Sequence, residues 1–224
     1  MKIINKSSLQ LGGFAGLKET RLVVDNKVGG NSNTWNGLGH FIYLADANFL
    51  PLGETHMHPH RELDVISIML KGRVRHEGSL GHGKMLDVNQ VQAQRAGGEG
   101  FTHNEINPDN EENRMLQLWV LPETSGMSAN YKSYNPKRNE LTRVYGGDKS
   151  NTDTLDSQTI IEVAMLDQEQ SISKQGDFLA YITGGEAQLN GQLVSDGDLV
   201  RGNNLELISK GAELHLTLVS TLKQ

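Results

Sequence analysis

Turn-forming residues recur along the whole chain, and their spacing limits the fold more than any other feature of the sequence. The chain has 25 glycines but only 5 prolines among 224 residues. Glycine-containing turn signals stand about ten residues apart, and short β-prone runs lie between them, for example at residues 65–70, 115–121 and 214–219. This alternation is typical of a β-sandwich or β-barrel and not of strand–helix–strand units. We therefore predict an all-β fold.

A polar segment divides the chain between residues 125 and 157. It is rich in Asn, Ser, Lys and Asp, and a second series of β-prone runs follows it. At roughly 100–200 residues per domain, this length allows one large domain or two compact ones. We predict two β domains, residues 1–135 and 136–224. The alternative is one long sandwich with an extended loop.

The composition excludes several classes of function. A formal charge of −6 argues against nucleic acid or an anionic membrane as a direct partner. The chain has no cysteine, which excludes disulfides, thiolate metal sites and cysteine nucleophiles. Any bound metal must therefore be held by histidine nitrogen and carboxylate oxygen. No run approaches the ~18 apolar residues of a membrane span, and we expect a cytoplasmic protein.

Histidines are concentrated in one short segment. His56, His58 and His60 alternate along residues 55–61, and His103 and Glu105 alternate further on. On an extended chain, residues two apart point to the same face. If the two strands are neighbours, imidazoles and a carboxylate converge on one point. Such a set suits Fe, Mn, Co, Ni, Cu or Zn and leaves coordination positions for water, substrate or dioxygen.

The motifs around these histidines resemble those of the bacterial pirin family within the cupins. The relevant stretches read H-P-H-R-E-L-D-V-I-S-I-M-L-K-G, H-E-G-S-L-G-H-G and G-E-G-F-T-H-N-E-I-N-P. The resemblance covers about the first 120 residues, whereas the second half fits only in length and β character. The sequence departs from the family pattern at Asp64, Gly78 and Asn104, where the family has Glu, Asp and Ser.

The resemblance implies a bicupin, with two β-barrel (jelly-roll) domains and metal in the first barrel only. Carried over by position, the metal ligands are His58, His60, His103 and Glu105. Iron is the first expectation for the metal. The implied activity is that of a quercetin 2,3-dioxygenase, which opens a planar flavonol with O2. Glu105 is then also the candidate catalytic base, since it can accept a phenolic proton.

Two other functions are compatible with the same residues. One is a non-enzymatic metal-binding or redox-sensing protein that acts through a protein partner, and the other is a different cupin reaction on a small molecule. The remaining histidines receive lesser roles: His56 is expected at the rim, and His76 and His82 around a turn. Glu62 or Asp64 is a candidate to orient an imidazole. The aromatic residues that could stack on a flat substrate are Phe41, Tyr43, Phe49 and Phe101.

Overall fold

The computed structural model describes residues 1–222 and is built almost entirely from β-strands. Two short 3-10 helices, Lys6–Ser8 and Asn26–Val28, are its helical elements over that range. The all-β prediction is confirmed. Within residues 1–222, no helix is both long enough and apolar enough to cross a membrane.

The strands are numbered in chain order. Those up to residue 135 are β1 (Lys2–Asn5), β2 (Leu11–Phe14), β3 (Leu17–Val24), β4 (Phe41–Phe49), β5 (His58–His60), β6 (Asp64–Lys71), β7 (Arg73–Gly78), β8 (Met85–Asp87), β9 (Val91–Arg95), β10 (Phe101–Ile106), β11 (Arg114–Val120) and β12 (Asn130–Tyr134). The later strands are β13 (Thr142–Gly147), β14 (Ser157–Leu166), β15 (Ser171–Thr183), β16 (Glu186–Leu189), β17 (Gln192–Ser195), β18 (Asp198–Ser209) and β19 (Leu214–Thr221).

The chain divides into two compact units. One is Leu9–Asn135, and the other combines Met1–Ser8 with the chain from Pro136 onward. The predicted N-terminal domain includes residues 1–8. In the structure they belong with the second half, because β1 pairs antiparallel with β18, with Ile3 opposite Val200.

The Leu9–Asn135 unit contains two antiparallel sheets. The larger has the strand order β12-β9-β6-β11-β4-β3-β2, and the smaller has the order β5-β10-β7-β8. Over the described residues, backbone hydrogen bonds do not join the outer strands of either sheet. The unit is therefore a cupin-like jelly roll formed by two open sheets, and not a continuously hydrogen-bonded barrel.

The inner face of the larger sheet is set by strand register. Along β11, Met115, Gln117 and Trp119 alternate, and on β4 they lie opposite Ala47, Ala45 and Tyr43. Successive residues of a strand point to opposite faces, so these side chains share one face. Small alanines at the middle of β4 leave space above the sheet.

The second unit is a single eight-stranded sheet, with the path β13-β14-β19-β15-β18-β16-β17 and with β1 added to β18. Its core is mainly aliphatic, with Leu166, Leu205 and Leu216 buried around the aromatic ring of Phe178. The structure described in this unit contains no group of three or more residues spaced to hold a metal.

Candidate metal centre

Strands β5 and β10 bring the predicted histidines together. The two strands are antiparallel, with His58 opposite His103 and His60 opposite Phe101. Pro59 lies between the two β5 histidines and has a fixed φ that suits an extended backbone. His58 and His60 therefore point to the same side of the sheet as His103, as the alternation of the sequence predicts.

The imidazole nitrogens lie at the spacing of metal ligands. His103 Nε2 is 2.9 Å from His58 Nε2 and 3.1 Å from His60 Nε2. Metal–nitrogen bonds of ~2.1 Å at right angles would place two ligand nitrogens ~3.0 Å apart. His58, His60 and His103 form a group whose ligand atoms all lie within 4.8 Å of one another. This triad could bind a metal ion.

Hydrogen bonds fix the tautomers of two of these imidazoles. His58 Nδ1 lies 2.8 Å from the carbonyl oxygen of His56, and a carbonyl oxygen only accepts, so the proton of neutral His58 is on Nδ1. In the same way, His76 Nδ1 donates to the carbonyl oxygen of Gly81 at 3.3 Å. His76 Nε2 is then an acceptor, and it lies 3.3 Å from His103 Nδ1, which must donate to it.

A lone-pair conflict follows from these tautomers. The Nε2 atoms of His58 and His103 both carry lone pairs and no proton, yet they lie 2.9 Å apart. No hydrogen bond can join two acceptors, whereas one cation between them satisfies both. The donor set thus fits a transition metal better than it fits an empty polar cluster.

Burial favours the neutral form of two of the three imidazoles. It lowers the pKa of His60 to about 4, reinforced by the neighbouring His58. Burial also lowers the pKa of His103 to about 2, with further contributions from His58, His60 and His76. Neutral imidazole is the form that binds metals. These two ligands therefore need not lose a proton when a metal binds at neutral pH.

Glu105 lies on the same cavity wall but outside the triad as the structure is described. Its Oε1 atom accepts hydrogen bonds from Ser67 Oγ at 2.9 Å and from Gln92 Nε2 at 3.1 Å. The Tyr131 hydroxyl donates in turn to Gln92 Oε1 at 3.2 Å. Burial raises the pKa of Glu105 to about 7. This carboxyl group is therefore able to exchange a proton near neutral pH.

The triad opens into a cavity of about 490 Å³. Its walls are mainly apolar and aromatic. Tyr43 stacks on Trp119 with ring centroids 4.1 Å apart, and Phe49 and Met115 line the cavity beside them. Of the four residues predicted to stack on a flat substrate, Tyr43 and Phe49 line the cavity, and Phe101 packs against His60 with ring centroids 5.2 Å apart. The space suits a flat organic molecule with one end at the histidines.

His56 lies outside the triad, as expected of a rim residue, whereas Glu62 and Asp64 contact partners other than the imidazoles. His56 has a left-handed backbone (φ 62°), which ends the alternation, and its exposed side chain lies outside the triad. Its contribution is the carbonyl oxygen that orients His58. Glu62 accepts a hydrogen bond from the Gly126 amide, and buried Asp64 pairs with Arg95 at 3.0 Å. The imidazole-orienting groups are instead a backbone carbonyl and His76.

His76 is the functional residue that sequence reasoning underestimated. Its side chain is fully buried, and Gln94 Nε2 lies 3.0 Å from its Nε2 atom. The signal available in the sequence was alternation on β7, which puts His76 on the same face as the buried Val74. In the structure His76 lies opposite Glu105 on β10. Gly81 has φ +64°, a conformation natural to glycine, and this turn directs its carbonyl oxygen toward His76.

The fold and the site define a cupin-type protein with a three-histidine metal-binding group. Residues 26–120 match the pirin family. This match confirms the resemblance that the motifs of the segment carry.

Similar proteins agree with this assignment. The chain is 32% identical over 76 residues to "Quercetin 2,3-dioxygenase" of Escherichia coli K12. This aligned segment covers 34% of this chain and 32% of that protein. A Pasteurella multocida relative is 32% identical over 97 residues, 42% of this chain and 41% of that protein. The matching segment thus spans about two fifths or less of these relatives.

Solved structures show that the likeness in fold extends over the whole chain. The bacterial pirin YhhW from E. coli, in complex with nickel(II), has a TM-score of 0.83 at 16% identity and covers 99% of both chains. A quercetin 2,3-dioxygenase from Acinetobacter baumannii has a TM-score of 0.71 at 18% identity, covering 99% of this chain and 86% of the other. At these identities the likeness concerns the fold.

Proposed function

We propose that this protein is a metal-dependent dioxygenase that opens a flavonol such as quercetin with O2. The observation that carries the proposal is the convergence of three imidazoles at one end of an aromatic cavity. The relative from E. coli that bears the name quercetin 2,3-dioxygenase supports the choice of reaction. The protein is proposed to act in the cytoplasm, on the grounds of its composition.

In the proposal, His58, His60 and His103 hold one divalent transition metal, with Glu105 as a fourth ligand. Iron is the first candidate, and the nickel(II) complex of YhhW adds weight to nickel. When bound, such a metal supplies Lewis acidity, which lowers the pKa of a substrate hydroxyl, and a centre for reaction with O2. Glu105 must release or share its Ser67 and Gln92 contacts to reach the metal.

The residues of the chain supply orientation and proton transfer. The stacked pair of Trp119 and Tyr43 forms the aromatic part of the cavity wall that would contact the flavonol. Glu105 would accept the proton of the flavonol 3-hydroxyl, a role open to a carboxylate on the cavity wall. The overall reaction consumes one flavonol and one O2 and yields a ring-opened ester and carbon monoxide.

Oxygen uptake with quercetin tests the proposal. Protein loaded separately with Fe, Mn, Co, Ni and Cu should consume O2 with at least one metal, and His58→Ala should abolish both the bound metal and the uptake. His56→Asn is the matched control, because the side chain of His56 is exposed and Asn tolerates its left-handed backbone. Absence of flavonol turnover with all five metals would overturn the proposal.

A further inference from the structure

The cavity carries a second polar cluster on the strands of the larger sheet. Glu19 and Arg21 lie on β3 and Tyr43 on β4, and all three line the same cavity as the triad. Glu19 lies opposite Ala47 in the β3–β4 register. Glu19 therefore shares a face of the sheet with Ala47, which also lines the cavity.

Glu19 is the centre of this cluster. The Tyr43 hydroxyl donates to Glu19 Oε2 at 3.0 Å, and Arg21 Nε donates to Glu19 Oε1 at 2.7 Å. Glu19 is only 4% exposed and Tyr43 only 5%, whereas the Arg21 side chain is about half exposed. A carboxylate at such a site costs free energy unless it is paired. Here Arg21 and Tyr43 are the partners of Glu19.

One aromatic side chain connects this cluster with the metal-binding end. The Trp119 ring stacks on Tyr43, and its centroid lies 6.1 Å from that of His60. A flat molecule with one end at the imidazoles can therefore lie along the indole and place its other end near the Glu19–Tyr43 pair. The two polar ends of the cavity are separated by an apolar wall.

The remaining hydrogen-bonding capacity of the cluster selects for a hydroxyl group. A carboxylate has about four acceptor sites and a guanidinium has five donors, and the bonds described use only part of each. A hydroxyl can donate to Glu19 and accept from Arg21 at the same time. Because Glu19 and Arg21 are paired, their charges largely cancel and give no net attraction for an anionic or a cationic group. Burial and the Glu19 charge raise the pKa of Tyr43 well above its usual value, so its hydroxyl remains a donor to Glu19.

We propose that Glu19, Arg21 and Tyr43 form a hydroxyl-recognition subsite, which selects planar aromatic substrates that carry a hydroxyl at the end remote from the triad. The inference rests on the proposed function for the choice of flavonols as probes. It concerns binding alone and involves no chemical step.

The test compares two flavonols by isothermal titration in the absence of O2. Quercetin carries hydroxyls on its pendant ring, whereas galangin differs only in lacking them. Wild-type protein, with and without bound nickel, should bind quercetin about tenfold more tightly than galangin, which corresponds to one net hydrogen bond. Tyr43→Phe and Glu19→Gln should each lower the ratio of the quercetin affinity to the galangin affinity to about one.

The control variant is Tyr181→Phe, which makes the same chemical change at a buried tyrosine of the other unit. It should keep the preference. If quercetin and galangin bind equally to the wild type, if neither binds, or if both variants keep the preference, the subsite assignment is wrong. Oxygen uptake distinguishes the two proposals. Turnover without discrimination overturns only the subsite, whereas discrimination without turnover overturns only the dioxygenase.

Discussion

At the scale of single residues, the site depends on which nitrogen of each imidazole carries the proton. The Gly81 carbonyl oxygen sets the tautomer of His76, and His76 sets that of His103. The lone pair of His103 Nε2 is thereby directed toward His58 and His60. A metal site whose ligands are pre-set in this way does not need to reorganise when the ion binds.

Removing His76 should weaken metal binding without abolishing it. In His76→Ala, His103 keeps its place on β10 but loses the acceptor for its Nδ1 proton, so we expect a 10–100-fold lower metal affinity. Competition with a chromogenic chelator measures this change. His82→Ala is the control, since His82 lies on the same turn but outside the triad. Equal metal affinities of the wild type and His76→Ala would contradict a role of His76 in setting the His103 tautomer for metal binding.

The pKa of Glu105 makes the stability of the metal-free protein depend on pH. Between pH 4.5 and about 7 the unfolded chain has lost the Glu105 proton, whereas the folded chain retains it. The Glu105 contribution to the free energy of unfolding therefore falls as pH rises through this window, by up to about 3 kcal/mol.

Glu105→Gln has no such proton to lose. The free energy of unfolding of the variant, relative to the chelated wild type, should increase from pH 5 to pH 8. Urea unfolding at several pH values measures the difference. A difference that is constant with pH would contradict a neutral Glu105 in the folded protein.

At the scale of secondary-structure elements, two short strands and one turn position the triad. The glycine-rich turn at residues 97–100 precedes β10, and Gly97 has φ +56°. A Cβ at Gly97 would lie 1.9 Å from the Met127 carbonyl oxygen. The turn therefore needs glycine for two reasons, backbone conformation and the close approach of a neighbouring chain segment.

Gly97→Ala should destabilise the unit far more than Gly83→Ala. Gly83 also has a positive φ (+74°), but no atom lies within 4 Å of its ideal Cβ position. Both variants bear the cost of a left-handed alanine, and only Gly97→Ala adds a clash with the backbone, which we expect to cost a further ~1–3 kcal/mol. Denaturant unfolding gives both values. Equal losses would mean that the contact with residue 127 is readily relieved.

Much of this element-scale organisation could be predicted from the sequence. The alternation of His58, Pro59 and His60 correctly placed two imidazoles on one face, because strand geometry is local. The alternation failed at His56, whose left-handed backbone depends on the loop before β5. The burial of His76 and the pairing of Asp64 with Arg95 depend on contacts between strands far apart in the chain. Residue type and spacing alone do not specify such contacts.

At the scale of the whole molecule, the two units differ in their tryptophan content and in their candidate metal ligands. Both tryptophans, Trp35 and Trp119, belong to the Leu9–Asn135 unit, which also contains the triad. In residues 136–224 the sequence predicts β-strands but no functional site. Residues 1–8 join that second unit through a strand pairing between opposite ends of the chain, a long-range contact that no local pattern reveals.

Metal binding should stabilise the tryptophan-containing unit. A ligand that binds only the folded state at 100 times its Kd adds about 2.7 kcal/mol to the free energy of unfolding. The unfolding midpoint followed by tryptophan fluorescence should rise when nickel is added and should return when a chelator is added. His58→Ala should show no rise. A similar rise in that variant would indicate that the metal binds elsewhere.

The metal content of each chain tests the central claim most directly. Protein purified without added metal, then loaded with iron(II) or nickel(II) and freed of excess by gel filtration, is analysed by plasma mass spectrometry. The three-histidine site predicts one divalent ion per chain in the wild type and in His56→Asn, and none in His103→Ala. A wild type that retains no metal, or a His103→Ala variant that retains as much as the wild type, would contradict it.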